Sequence, residues 1–440
     1  MRKSSAATTT PLFASGSLMG LSFRRLPRHQ APPCSSTTSG NGPEPRGLNR
    51  RASRGLSPWR RYSTSSISMS YVMRSSLGKS RIGCRRDTAR ALARPSSRGR
   101  GLTERPARRT IAPGARAAPP RLTLEEERDM RFGLFTSMGA QTWSGVLDLW
   151  RHIEATGWDI GCVTDHFMPN TKEREGAMLE SWSTLSALAA LVPRIRVGTI
   201  VLGNTYRHPA VVAKMAAQVD IISGGRLLLG LGAGWQENEH EAYGIPFYTM
   251  RERLARLDEA CEVIRSLWTE RRSTFKGSYY QLADAPLDPK PVQRPHPELM
   301  IGGGGERVTL RIVAKHADHW NVWGGPRVLA RKGAILDEHC AAVGRDPKTI
   351  TRSANMALLI TDRKDEVERL ADTIATRMGR HAADARDTCL AGTPDQIREQ
   401  LNQLREAGAG VLFIPTLFRP LPELRRDLDR LIADIAPAFR

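Results

Sequence analysis

LMIGGGGERVTLRIVAKHADHWN, residues 299–321, is the stretch whose reading decides the fold. A short apolar run, Leu299 to Ile301, ends in four consecutive glycines, Gly302 to Gly305. A helix-compatible segment follows, with Val308, Leu310, Ile312 and Val313 as its apolar positions, and a further short strand is expected near His319. The order is strand, glycine turn, helix, strand. Such a junction aims free backbone N–H groups and the positive end of a helix dipole above the strand, where an anion, usually a phosphate, is stabilised. Glycines remove the Cβ atoms that would hold the anion away and permit φ > 0. Arg307, read as lying one turn into the helix, adds a charged donor. The plain alternative is a flexible glycine-rich loop with no ligand.

The same unit repeats on both sides of this stretch. Strands are expected at 130–135, 159–163, 196–201, 226–231, 299–301, 319–322, 350–360 and 411–414. Helices are expected between them, among them one capped by Thr142 and ended by Gly157, one over 182–191, and one over 209–222. That last helix starts at Pro209 and is stopped by Gly224 and Gly225. Long helices follow at 251–268 and 421–436. Eight strand–helix units in about 310 residues match a (β/α)8 TIM barrel with insertions. A doubly wound open sheet is the alternative, but the first strand ends in FTSMGAQT, which is no nucleotide loop. A barrel implies that functional residues sit at the carboxyl ends of strands.

Charge divides the 440-residue chain. The formal net charge is +21, yet residues 1–129 alone hold 26 Lys and Arg against 7 Asp and Glu, leaving 40 against 38 in the remainder. Residues 1–129 are rich in Arg, Ser, Pro and Gly, poor in aliphatics and without periodicity, a composition expected to stay disordered. An organelle transit peptide, a nucleic-acid-binding tail and a start site placed too far upstream all fit this segment. The scattered arginines, without interleaved aromatics, argue against nucleic acid. Met130 opens the first convincing strand, which favours the upstream-start reading. No apolar run reaches the ~18–20 residues of a membrane span, and no secretory h-region is present. The six cysteines are widely spaced without a C-x-x-C, which argues against zinc and disulfide frameworks and fits a reducing, cytoplasmic setting.

The strand ends hold the candidate chemistry. Strand two ends in Thr164, Asp165, His166 and Phe167, with His166 a candidate proton donor or acceptor. The alternative is a backbone-capping carboxylate beside a solvated histidine. Strand three ends in Thr199, Ile200, Val201, Leu202, Gly203 and Asn204, an apolar shelf fit for a flat aromatic ring, or an ordinary loop. Strand four ends in Gly230, Gly232 and Gly234 but has Trp235 where the dinucleotide fingerprint needs glycine. Glu237, Glu239 and His240 read as a solvated loop rather than a metal site, and no metal is expected.

Four blocks, VTDHF (163–167), VGTIVLGNTYRHPAVVAK (197–214), DIISGGRLLLGLGAGWQENE (220–239) and IGGGGERVTLRIVAKHADHWN (301–321), together resemble the luciferase-like monooxygenase superfamily. Within it they look most like the oxidoreductases that use the deazaflavin coenzyme F420, while members using FMN share the scaffold. The resemblance covers about residues 130–420. It implies a TIM barrel, a small-molecule substrate and a homodimer. It implies that Gly302, Gly303, Gly304, Gly305, Glu306 and Arg307 hold the cofactor phosphate, and that Ile200, Val201 and Asn204 lie at the deazaflavin ring. A non-proline cis peptide is implied between Ile200 and Val201. Asp165 and His166 match the pair at the redox face, so the resemblance implies that His166 moves one proton and Asp165 orients it. Some sugar-oxidising members carry Glu where this chain has Trp235, which speaks against a sugar-phosphate substrate.

Overall fold

The computed structural model describes residues 129–379 and 385–440. The basic segment 1–128, with Cys34 and Cys84, lies outside them, so its expected disorder is not addressed by the structure.

The chain runs β1 (Arg131–Thr136), α1 (Trp143–Thr156), β2 (Ile160–Val163), α2 (Ser181–Leu191), β3 (Arg196–Thr199), β4 (Leu202–Gly203), α3 (Pro209–Ser223) and β5 (Leu227–Gly232). It continues through α4 (Glu237–Tyr243), α5 (Met250–Thr269), the antiparallel pair β6 (Ser273–Lys276) and β7 (Gln281–Ala285), β8 (Glu298–Gly302), α6 (Thr309–His316) and β9 (His319–Trp323). Then come α7 (Pro326–Ala342), β10 (Thr351–Asn355), β11 (Ala357–Ile360), α8 (Lys364–Met378), β12 (Cys389–Gly392), α9 (Pro394–Glu406), β13 (Val411–Pro415) and α10 (Leu421–Arg430). Parallel pairing runs β1–β2–β3–β5–β8–β9–β10–β13 and returns from β13 to β1. Eight parallel strands therefore close a (β/α)8 barrel, and the open-sheet alternative is excluded.

Local signals place the helices as expected. The Thr142 hydroxyl accepts from the Gly145 N–H, and Gly157 (φ 93°) and Gly224 (φ 69°) close α1 and α3 in the left-handed region. The hairpin of β6 and β7 is an insertion that the sequence did not announce. The expected strand over 350–360 is really two. Met356 breaks it, so β10 stays in the barrel while β11 leaves to pair with β12. The last helix also ends early, as Leu431–Ile435 widens into a π turn and Ala436–Phe439 tightens into a 3-10 turn.

Side chains alternate between the barrel interior and the layer under the helices. Phe135, Ile160, Cys162, Ile200, Leu228, Met300, Val411 and Phe413 fill the interior. Gly133 gives the Phe413 ring its place, since an added Cβ would stand 2.4 Å from it. Each fully buried side chain of this size contributes about 1.5–3 kcal/mol. From the amino ends of β3, β8 and β9 to the carboxyl end of β10 the interior also carries polar side chains. Glu298 pairs with Arg196, His319 Nδ1 lies 2.9 Å from Glu298 Oε1, and His319 Nε2 lies 2.8 Å from Ser353 Oγ. Asn321 donates to Ser353 Oγ and exchanges amide bonds of 3.0 and 2.9 Å with Asn355. Burial works against the Glu298 charge, but Arg196, His319 and Arg131 hold its carboxyl far below the usual range. Burial pushes the His319 imidazole down.

Candidate functional site

The carboxyl ends of the strands bring Asp165, His166, Ile200, Val201 and the glycines after β8 to one mouth of the barrel, as a barrel requires. Asp165 and His166 are chain neighbours, and in extended chain neighbours face opposite ways. Asp165 is buried and accepts from Arg207 at 2.8 and 3.1 Å and from the Gly203 N–H at 3.2 Å. It makes no hydrogen bond to His166 among the described residues, which corrects the expectation that Asp165 orients that ring. Burial pushes the Asp165 carboxyl up, with Arg207 pulling against it. Burial also opposes the Arg207 charge, but Asp165 and Glu180 outweigh it and hold the guanidinium above its ordinary value.

The partner of His166 is Glu239, with Nδ1 2.8 Å from Oε1. Residues 237–243 form α4 rather than a solvated loop, and Glu239 and His240 are fully buried. Glu239 Oε2 accepts from the Phe167 N–H at 2.8 Å, and the Tyr206 hydroxyl donates to Oε1. Burial tends to raise the Glu239 carboxyl, yet these three donors hold it below its ordinary value. Burial, then the bond to Glu239, pushes the Tyr206 phenol up. His240 is spent on the Gln236 carbonyl and the Thr205 hydroxyl, each at 2.7 Å, so α4 gathers no metal ligand set. Elsewhere Asp258, Glu262 and His316 stand close together between α5 and α6, but the Lys315 ammonium already lies 2.9 Å from Asp258.

The Ile200–Val201 peptide is cis, as the resemblance implied. Val201 leans on two glycines. A Cβ at Gly232 would meet Val201 Cγ2 at 2.7 Å, and one at Gly302 would meet Val201 Cγ1 at 2.8 Å. Asn204 is buried and its amide donates to the Tyr280 hydroxyl at 3.3 Å, so it serves the wall.

The loop after β8 is a built cradle. The glycine segment follows the fifth barrel strand, so the strand count made from sequence stands. Gly303 has φ 139°, its N–H donates to the Asn321 carbonyl, and its carbonyl accepts from Trp320 Nε1 at 2.9 Å. The next four N–H groups, of Gly304, Gly305, Glu306 and Arg307, meet no acceptor among the described residues. Four successive free donors are the kind of backbone that can hold an anion. The helix itself starts only at Thr309, so Arg307 precedes it, exposed and without a partner among the described residues, instead of lying one turn inside. Glu306 is tied to Arg331 and Lys332. Sequence reasoning missed Lys332 of α7, whose ammonium reaches the Gly304 carbonyl at 2.6 Å and Glu306 at 3.2 Å. The carboxylate beside it holds a positive charge against the loop.

Beside His166 stands Trp235, 59% exposed, with ring centroids 5.4 Å apart in an edge-on arrangement. Trp235 also lines a cavity of about 390 Å³, with Asn170, Gln236, Glu237, Asn238 and Glu241; His166 is not among its walls. The cysteines of the described residues, Cys162, Cys261, Cys340 and Cys389, are free and buried. No helix among the described residues is long and apolar enough to cross a membrane.

The chain is 30% identical to an F420-dependent glucose-6-phosphate dehydrogenase of Intrasporangium calvum over 319 residues, 65% of this chain and 92% of that protein. It is 38% identical to the enzyme of the same name from Amycolatopsis mediterranei over 165 residues, 37% of this chain and about half (47%) of that one. An FMNH2-dependent dimethylsulfone monooxygenase of Pseudomonas putida is 30% identical over 197 residues, 44% of this chain and 53% of that protein. An F420-dependent secondary alcohol dehydrogenase, solved with an F420–acetone adduct, superposes with TM-score 0.61 at 20% identity over 71% of this chain and 99% of that one, which shows the shared fold. The model of the luciferase-like monooxygenase family matches residues 130–410, and the chain belongs to that family.

Proposed function

We propose that the chain is an F420-dependent oxidoreductase that moves a hydride between the deazaflavin and a small organic substrate. The observation that carries this reading is the alignment of three features on one mouth: the anion cradle after β8, the Val201 bulge seated on Gly232 and Gly302, and His166 with one ring nitrogen held by Glu239. The free N–H groups of Gly304 to Arg307 fit a phosphate, with the Lys332 ammonium adding charge behind them. Ile200 and Val201 fit the face of a flat ring. When bound, a deazaflavin supplies a two-electron hydride acceptor or donor. The chain's own work is to hold the tail, set the ring against the bulge, and move one proton at His166 Nε2.

The names of the relatives support F420 over FMN as cofactor. They do not carry glucose 6-phosphate over as substrate. Trp235 stands beside His166, the cavity that Trp235 also lines is edged by Glu237 and Glu241, and Arg174 is engaged by Glu241 at 2.7 Å. A phosphate dianion finds repulsion there, and a neutral or cationic substrate finds none.

The test is titration of the full-length protein with F420 and with FMN, followed by fluorescence. Tight F420 binding with weak FMN binding is the expected result, and tight binding of FMN alone overturns the choice. A second reading, an FMN-dependent monooxygenase consuming oxygen, is favoured by the Pseudomonas relative. Oxygen uptake coupled to reduced FMN would establish it.

A further inference from the structure

We propose that Glu239 is the positioning residue of His166, holding the ring with its proton on Nδ1 and leaving Nε2 as the nitrogen that faces substrate, while Tyr206 tunes how much carboxylate charge the ring receives. The proposal rests on the reading of His166 as the proton-moving group.

The geometry is over-determined. Glu239 is fully buried, and an ionised carboxylate in that position persists only when donors satisfy it. Three do so: His166 Nδ1 at 2.8 Å, the Phe167 N–H at 2.8 Å, and the Tyr206 hydroxyl. A carboxylate only accepts, so the imidazole nitrogen facing it must donate. The proton therefore sits on Nδ1, and Nε2 carries the lone pair. The other charged groups around the ring are committed elsewhere. Asp165 is locked to Arg207 and the Gly203 N–H, Arg207 is shared between Asp165 and Glu180, and Trp235 meets the ring with its edge. Glu239 alone among them is bonded to the imidazole.

Two consequences follow for the chemistry. A substrate hydroxyl gives its proton to Nε2, breaking O–H and forming N–H, and the resulting imidazolium keeps its other proton on Nδ1, donated to Glu239 Oε1. The Tyr206 hydroxyl and His166 Nδ1 share one oxygen, Oε1, so each draws on the same negative charge. Removing the phenol leaves more of that charge for the ring. Nothing in the sequence order of Glu239 and His166, 73 residues apart, marks this pairing.

The test needs no cofactor. Full-length protein carrying 15N-histidine reports the tautomer of His166 by NMR, the resonance being assigned by its loss in His166→Asn. The expected parent spectrum has neutral His166 protonated on Nδ1. Glu239→Gln removes the charged acceptor, so the ring proton should redistribute toward Nε2, whereas Tyr206→Phe should keep it on Nδ1 and move the Nδ1 proton resonance downfield as that hydrogen bond strengthens. With substrate and cofactor, Glu239→Gln should lower kcat/KM about tenfold or more while the cofactor Kd stays fixed. A parent ring protonated on Nε2, or a tautomer and Nδ1 proton resonance unmoved by both substitutions, overturns the proposal. If Glu239→Gln does not fold, the parent tautomer and Tyr206→Phe decide alone, and an unmoved Nδ1 proton resonance in Tyr206→Phe then overturns it. Failure to bind F420 would overturn the functional reading and leave this spectrum as it is, so the two failures are distinct.

Discussion

Val201 occupies the space where a side chain at Gly302 would begin, its Cγ1 standing 2.8 Å from the place of an added Cβ. The Ile200–Val201 segment after β3 and the glycine loop after β8 are thereby one packed unit. Gly302→Ala must push Val201 toward the ring site or open the cradle. The expected outcome is a folded protein whose affinity for F420 falls about tenfold or more, since preorganised seats are sensitive to shifts of a few tenths of an ångström. Fluorescence titration beside a thermal melt separates binding from folding.

His166→Ala removes the nitrogen proposed to exchange a proton with substrate while leaving the glycine loop and the Ile200–Val201 segment in place. Turnover should fall by about 10²–10⁴, the ordinary contribution of a positioned acid or base, and the cofactor Kd should stay within about twofold. Full turnover at normal cofactor affinity would remove His166 from the mechanism.

Lys332 acts on the loop from behind. Its ammonium bonds the Gly304 carbonyl and Glu306, and it places a charge near the four free N–H groups. Lys332→Ala should weaken cofactor binding by about five- to twentyfold, more at low ionic strength, with kcat at saturation within about twofold. A fall in kcat at unchanged cofactor KM would contradict this assignment.

Asp258 ties α5 to α6 through His316 Nε2 at 2.6 Å and Lys315 Nζ at 2.9 Å. The His316 bond, and next the Lys315 ammonium, hold its carboxyl down at about 2, against desolvation. A depressed folded pKa stabilises fully above the unfolded value of about 3.9 and is lost as pH falls toward 2. Asp258→Asn should therefore cost about 1–2 kcal/mol at pH 7, and the difference from the parent should shrink at pH 3. Urea melts at the two pH values measure it.

The barrel was legible because each strand–helix unit carries its own signals: alternating apolar runs, Pro209 opening α3, Gly157 and Gly224 closing helices. The break at Met356 was not, because residues 350–360 read as one extended run and the partner that draws β11 away, β12, lies some thirty residues later. The mouth was legible where chemistry is local. Gly302 to Gly305 and the Ile200–Val201 shelf announce themselves by composition. The tie between His166 and Glu239 spans 73 residues, and that between Lys332 and Gly304 spans 28, so no local pattern shows either. Adjacency misled in the case of Asp165. Just past the end of β2 the two neighbours take different partners, and that of Asp165, Arg207, comes from the loop before α3.

The polar rungs inside the barrel have a consequence for how the strands align. His319 with Ser353, Asn321 with Ser353, and Asn321 with Asn355 tie β9 to β10 at a fixed offset. An interior lined only by aliphatic side chains tolerates sliding of one strand along the next, because every offset is equally greasy. Here a slip by one residue would turn amides and an imidazole out of their bonds, stranding buried donors at about 1–3 kcal/mol each. The rungs act as a vernier for the barrel's shear. They set the heights at which β9 and β10 end at the mouth of the barrel.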